Sequence, residues 1–433
     1  MSRKPAAPAS PATRTAAVVG LGYVGLPLLV ELAESGYHAI GIDLDPSKVG
    51  AVRGGRSYIP DVAEERVAKL RAAGRIDAAT RFERLAEADA VSICVPTPLG
   101  KSREPDLSYI ISAVDSIRPH LRAGAVVVLE STTYPGTTEE LVLPKLSDGG
   151  REAGRDFFLA FSPERVDPGN KRFHTRNTPK VLGGVTPACT EAAREYYAPV
   201  FDQLVLVSSP RAAEMVKLLE NTFRAVNIGL VNEVAIMCER LGLDVWEVIG
   251  AAATKPFGFM PFQPGPGLGG HCIPVDPLYL SWKLRTLNYT ARFIDLASEV
   301  NTGMPSYVVQ RLVLALNERR KPVKGAKVLL LGVSYKRDVG DVRESPALDI
   351  IEQLQRLGAK VSFHDPFVPR LAEGHLDLAS RPLTDAALKG SDAVVVVADH
   401  SAIDYARVAR LAPYVFDTRN ATRGLKRANI ERL

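Results

Sequence analysis

The 433-residue chain has only four cysteines, Cys94, Cys189, Cys238 and Cys272. In a chain this long without a secretion signal, so few thiols exclude a disulfide scaffold and predict reduced cysteines in a reducing compartment. No apolar run approaches the ~20 residues of a membrane span, so no membrane partner is expected. The first 15 residues are rich in Ala, Pro and Ser but lack the apolar core of a secretion signal. A disordered tail over residues 1–15 and a cytoplasmic location are the expectation. Excess charge is lacking too. There are 54 Lys and Arg against 49 Asp and Glu, a net charge of +5, and the basic residues are spread rather than clustered. This gives little ground for a nucleic-acid partner. No short-period repeat is present, which excludes a solenoid.

What is present is an ordinary globular composition, 46% hydrophobic and 24% charged, in a chain longer than one core usually accommodates. Apolar strands read at residues 16–21, 38–43, 90–95, 125–130, 158–161 and 180–183, with helical stretches between several of them. That alternation predicts a parallel, doubly wound sheet. Residues 214–241 keep helical periodicity without Pro or an internal break. Residues 255–277 are dense in Gly, Pro and Phe and read as a structured loop. Helices resume near residue 278 and from 288. A second α/β unit starts at 326, with strands at 327–331, 360–364, 393–398 and 414–417 and a helix from about 345. The expected fold is α/β: two Rossmann-like, doubly wound domains joined by a central helical domain with a long helix. The boundaries are drawn at 16–209, 210–305 and 306–433.

Gly20-Leu21-Gly22-Tyr23-Val24-Gly25 fits G-x-G-x-x-G. Gly20 permits the tight turn, Gly22 lets backbone approach a pyrophosphate, and Gly25 allows close helix–sheet packing. The pyrophosphate would rest on the helix N-terminus, where N–H groups and the dipole favour negative charge. Alone, this pattern is also met in ordinary Gly-rich turns. Here a strand precedes it, a helix follows, and a second strand ends in Asp43 about 20 residues on, as a dinucleotide site requires. A carboxylate at Asp43 should accept from the ribose hydroxyls and repel a 2′-phosphate, so NAD is favoured over NADP. Lys48 is either a neighbour of that ribose or a solvated helix lysine. Pro96 and Thr97, in Val95-Pro96-Thr97-Pro98, form a stiff turn at a strand's carboxyl edge, where ligands sit in open sheets.

Gly265-Pro266-Gly267-Leu268-Gly269-Gly270-His271-Cys272-Ile273-Pro274-Val275-Asp276 crowds four glycines before one cysteine, which allows close approach of backbone and ligand. Asp276 followed by Pro277 reads as an N-cap and first helical residue. Cys272 then lies just ahead of a helix N-terminus, a placement that lowers a thiol pKa. It is either a nucleophile or a buried structural cysteine. Lys217 and Asn221 are one turn apart on the long helix and share a face. They either hold a developing oxyanion or are surface residues, with Lys217 paired to Glu214. Residues 162–170 form a polar loop with Glu164, Arg165 and Asp167, in which Glu164 is a candidate general base.

Together these motifs resemble the nucleotide-sugar dehydrogenase family that acts on UDP-glucose and UDP-mannose-type sugars. The resemblance also includes Ser131-Thr132-Thr133-Tyr134-Pro135-Gly136 and residues 336–345, and covers nearly all of the chain after the tail. It implies an N-terminal NAD domain, a central domain that builds a homodimer or larger homo-oligomer, and a C-terminal UDP domain. It implies Cys272 as nucleophile, Lys217, Asn221 and Asp276 as its catalytic neighbours, and Glu164 as the base for hydrolysis. Thr132 or Thr133 holds water; an extra residue before Pro135 leaves the choice open. Gly20, Gly22, Tyr23, Val24, Gly25, Asp43, Lys48, Pro96, Thr97, Ser131 and Arg343 are then the cofactor contacts. Arg165, Phe262, Gly265, Gly269, Lys336 and Arg419 join Lys217 and Asn221 around a UDP-sugar. No metal is expected. The loop at 162–170 and the segment 255–262 look like those of UDP-N-acetylglucosamine 6-dehydrogenases. The second acid of the UDP-glucose loop falls at Pro168, with Asp167 adjacent. The rival expectations are a two-electron hydroxy-acid dehydrogenase, which would not need Cys272, and a non-catalytic NAD-binding protein.

Overall fold

The computed structural model describes residues 14–100, 104–166, 170, 172–270 and 272–433. Residues 1–13 of the expected tail, and Asp167, Pro168 and His271 of the motifs above, lie outside the described residues. The chain packs as two compact units that divide between Glu220 and Asn221.

The first unit is built on an eight-stranded sheet. Its strands are β1 (Thr15–Val19), β2 (His38–Ile42), β3 (Ile76–Ala79), β4 (Ala90–Ile93), β5 (Val126–Leu129), β6 (Phe158–Phe161), β7 (Lys180–Gly184) and β8 (Leu204–Leu206). Their order is β3-β2-β1-β4-β5-β6-β7-β8. Neighbours run parallel except β6 and β7, which are antiparallel. Strand β1 begins at Thr15, one residue before the expected start. Its residues alternate between two cores: Ala16 and Val18 face one side, Ala17 and Val19 the other. Both faces are therefore covered, as a parallel sheet requires. The chain reverses its winding between β1 and β4, the switch point at which open α/β sheets bind ligands.

The second unit holds five parallel strands: β9 (Lys327–Leu331), β10 (Lys360–His364), and, after a β11–β12 hairpin (Arg370–Glu373 and Leu376–Ala379), β13 (Ala393–Val396), β14 (Val415–Asp417) and β15 (Ile430–Arg432). The order is β10-β9-β13-β14-β15. Two Rossmann-type sheets are thus present, as expected. The short β3, β8, β15 and the hairpin were not legible in the apolar pattern.

The long helix spans Pro210–Leu241, 32 residues, so it begins in one unit and ends in the other. A further helix runs Arg292–Glu318 with Pro305 inside it. It starts later than the expected residue 288, because Asn288 takes a left-handed φ of 57° that closes the preceding helix, Asp276–Arg285. Met304, Val308, Leu312 and Leu316 line its inner face and pack with Ile350, Ile351 and Leu354. Among the described residues no helix is long and apolar enough to cross a membrane.

Candidate active site

The turn after β1 has the shape that a bound pyrophosphate needs. A Cβ on Gly20, whose φ is 93°, would lie 2.6 Å from the Cys94 carbonyl oxygen, and one on Gly25 would lie 1.7 Å from the Gly20 oxygen. Both sites admit only glycine. A Cβ on Gly22 would meet nothing within 4 Å, which leaves backbone beside open space. The following helix, Gly25–Glu34, has no side-chain cap and no acid in its first turn. No carboxylate of its own therefore competes with an anion for the positive end of its dipole, while Leu26 N–H already donates to the Gly22 carbonyl at 3.1 Å. Asp43 Oδ2 accepts the Leu21 N–H at 2.7 Å and Oδ1 accepts the Asp45 N–H at 2.9 Å. Lys48 Nζ donates to Asp43 at 3.2 Å, so this lysine is an Asp43 partner rather than a purely solvated residue. Tyr23 and Pro96 are exposed and Thr97 is buried. Ser131 Oγ donates to the Val95 carbonyl at 2.7 Å and fixes the Val95–Pro98 turn against the end of β5. The residues present fit NAD.

On the same unit, Glu164 Oε1 accepts the N–H groups of Arg165 and Val166, both at 2.7 Å. Burial pushes its carboxyl up, but Lys180, the two N–H groups and Lys217 together hold it below the usual carboxylate value. Arg165 is tied to Glu220 at 2.6 Å and to the Pro179 carbonyl at 2.6 Å. Glu214 is not the partner of Lys217. It is fully buried and accepts from Gly136 N–H at 2.5 Å and from Thr138 N–H and Oγ1 at 3.0 and 2.7 Å. It thereby pins the 131–136 loop to the long helix one turn before Lys217. In that loop Thr133 is buried with its hydroxyl on Thr137 Oγ1 at 2.7 Å, while Thr132 is half-buried.

In the second unit, Cys272 is exposed, unlike the other three cysteines. Its carbonyl accepts the Asp276 N–H at 2.8 Å, in the turn that opens the Asp276–Arg285 helix. The expected N-cap role of Asp276 does not hold. Val275 is the capping position, with helical φ and ψ, and Asp276 is already helical. Its buried carboxylate turns instead to Asn221, which donates through Nδ2 at 2.5 Å. The glycine loop is held by a relay of buried amides. Gly265 N–H donates to Asn232 Oδ1 (2.9 Å), Asn232 Nδ2 to Asn301 Oδ1 (2.9 Å), and Asn301 Nδ2 to the Ala225 carbonyl (3.0 Å).

The Arg419 guanidinium lies directly on Gly265, where a Cβ would come within 2.7 Å of Nη1. Gly269 and Gly270 pack on Tyr335, and Gly270 N–H donates to the Arg343 carbonyl at 3.0 Å. Arg343 forms an ion pair with Asp341 at 2.6 Å. Phe262 stands edge-on to Phe223 at 5.7 Å. Lys336 lies on the loop after β9, where its carbonyl accepts from Ser334 Oγ at 2.9 Å. Arg419 and Tyr335 are thus gathered on the cysteine loop's glycines, Gly265, Gly269 and Gly270. Sequence reasoning missed Glu130, Lys180, Asn232, Asn301 and Tyr335. The available signal was charge inside apolar strands: Lys180 opens β7, and Glu130 follows β5.

The fold and this dinucleotide turn define an NAD-dependent oxidoreductase. The NAD-binding, central and UDP-binding domain models of the UDP-glucose/GDP-mannose dehydrogenase family match residues 14–201, 211–303 and 329–424. The chain belongs to that family, and it is an NAD-dependent nucleotide-sugar dehydrogenase. It is 39% identical over 354 residues to a UDP-N-acetyl-D-glucosamine 6-dehydrogenase of Pseudomonas aeruginosa, covering 81% of this chain and 82% of that one. It is 38% identical over 422 residues to an NDP-N-acetyl-D-galactosaminuronic acid dehydrogenase of Ralstonia nicotianae, covering 94% and 96%. The solved UDP-D-ManNAc dehydrogenase of Pyrococcus horikoshii superposes with a TM-score of 0.88 at 31% identity, covering 96% and 98%.

Proposed function

We propose that this enzyme oxidises the C6 hydroxyl of UDP-N-acetylglucosamine to the carboxylate, in two successive two-electron steps at one carbon. The observation that carries the reading is the one exposed cysteine, Cys272, at the mouth of a helix whose first residue, Asp276, is bonded to Asn221. NAD, when bound, supplies the hydride acceptor for both oxidations, and Gly20, Gly22, Gly25 and Asp43 are the residues we assign to hold it. A base removes the C6 hydroxyl proton in the first oxidation and leaves an aldehyde. The Cys272 thiolate then adds to the aldehyde carbon as a thiohemiacetal, whose oxidation leaves a thioester. Lys217 and Asn221, one turn apart on the long helix, stabilise the oxyanions. Glu164 or Asp276 takes a proton from the water that hydrolyses the thioester, and the thiolate leaves. We assign the water-holding hydroxyl to Thr132, because that of Thr133 is buried against Thr137.

The cofactor assignment has a direct test. Asp43→Ala removes the carboxylate that repels a 2′-phosphate, and with it the support of the Leu21 N–H. A charged hydrogen bond of about 1.5 kcal/mol or more corresponds to a narrowing of the NAD-over-NADP ratio in kcat/KM by about tenfold. An unchanged ratio would remove Asp43 from ribose recognition.

For the substrate, the resemblance at 162–170 and 255–262 and the relative at 39% identity support the N-acetylglucosamine form. The Ralstonia and Pyrococcus proteins act, by their names, on N-acetylgalactosaminuronic and N-acetylmannosamine sugars. NADH formation across a UDP-hexose panel decides. UDP-N-acetylglucosamine is expected to give the highest kcat/KM. Faster turnover of UDP-glucose than of every N-acetylated sugar would end this reading. The working assembly is a homodimer or larger homo-oligomer. In support, Phe223, Leu230 and Met237 recur every seventh residue on the long helix and are each more than two-fifths exposed.

A further inference from the structure

Lys180 opens β7 with its side chain only 3% exposed. A buried ammonium is costly unless its charge and its three donors are all met. Here Nζ donates to Glu130 Oε2, to the Pro163 carbonyl at 3.3 Å and to Glu164 Oε2 at 3.5 Å. The rings of Tyr197 and Phe201 flank it, with centroids at 5.9 and 5.3 Å, and the Tyr197 hydroxyl donates to the other Glu130 oxygen. Glu130 alone would balance the lysine's charge. The remaining two donors are turned to the Pro163–Glu164 turn, where Glu164 has one oxygen, Oε1, already held by backbone N–H groups.

We propose that Lys180 is a positioning residue for Glu164: anchored on Glu130, its ammonium fixes the Pro163–Glu164 turn and balances the Glu164 charge so that Oε2 stays ready to accept a proton from water. This rests on the reading of Glu164 as the hydrolytic base. Among the described residues, the other ionisable groups around Glu164 are few. Lys217 on the long helix also favours its anion. Arg165 is engaged with Glu220. Glu130 and the Cys94 thiol are both pushed up by burial, as are the hydroxyls of Tyr197 and of Tyr196, which is linked to it through Ser92. The thiol and the two hydroxyls stay neutral and add no charge beside Glu164. Glu130 is the ion-pair partner of Lys180, and Lys180 is the largest influence that opposes the burial of Glu164. Without that cation the carboxylate takes up a proton at higher pH, and hydrolysis fails earlier on the acid side.

The test is the pH dependence of thioester hydrolysis, read as the loss of the sugar adduct on Cys272 by quenched intact-mass measurement during turnover. Lys180→Met alone strands Glu130 as a buried, unbalanced acid and endangers folding. The informative variant is therefore Glu130→Gln with Lys180→Met, which removes both charges together. Its acid limb is expected to move upward by about 1–3 pH units, with the alkaline rate largely kept. Glu130→Gln alone keeps Lys180 and should leave the limb at or below its wild-type position. A double variant with a wild-type limb, or one slowed by the same factor at every pH, would overturn the proposal. Hydrolysis at the wild-type rate in Glu164→Gln would overturn it too, and would locate the fault in the role of Glu164 rather than of Lys180.

Discussion

Cys272→Ala should abolish uronate formation while leaving both ligands bound. In the proposed mechanism the nucleophile carries the second oxidation, since the thiohemiacetal presents the aldehyde carbon as an alcohol ready to lose another hydride. Losing a covalent nucleophile costs about 10⁴-fold or more in turnover. The cofactor turn lies in the other compact unit, and Cys272 is exposed rather than part of a core, so the substitution leaves no cavity and should not lower stability. NAD affinity, read by fluorescence quenching, and UDP-sugar affinity, read by calorimetry, are expected to stay within a few-fold of wild type. The first oxidation needs a base and a hydride acceptor but no thiolate, so slow aldehyde formation should persist and be trapped by a hydrazine. Uronate produced at near wild-type rate would make Cys272 structural and reject the covalent route.

Glu164→Gln should behave differently. The thioester still forms but loses its water-activating base, a contribution of about 10²–10⁴-fold. A sugar adduct on the protein should then accumulate, visible as a mass gain that is absent when Cys272→Ala is added. The amide is close in shape and can keep the Arg165 and Val166 N–H contacts, so a general collapse of the loop is not the expected cause. If the adduct does not accumulate and turnover is unchanged, Asp276 becomes the candidate base. Its buried carboxylate has Asn221 as partner.

How much of this could be read from the residues alone follows physical lines. The Gly20 turn was legible because its constraints are local. The same short stretch supplies the strand, the φ that only glycine tolerates and the helix start, and Asp43 falls at a fixed distance. Cys272 was legible as a spacing of glycines, but its environment was not. Asp276-Pro277 is compatible both with a cap and with a first helical turn, and Asn221, 55 residues away in the chain, decides between them. The pairing of Lys217 with Glu214 was a reasonable helical guess. It failed because Glu214 meets backbone donors from residues 136 and 138, far away in sequence. Lys180 and Glu130 looked like ordinary ends of apolar strands, and only the pairing of β5, β6 and β7 brings them together. Asn232 and Asn301 likewise read as polar helix residues, because nothing local marks an amide as buried.

A four-electron oxidation through Cys272 is tested most directly by the NADH formed per molecule of limiting UDP-N-acetylglucosamine, run to completion in parallel for wild type and Cys272→Ala. Wild type is expected to give two NADH per sugar, with uronate as the sole product, and the variant no more than one per sugar, with no uronate. One NADH per sugar from the wild type, or two from Cys272→Ala, would contradict it.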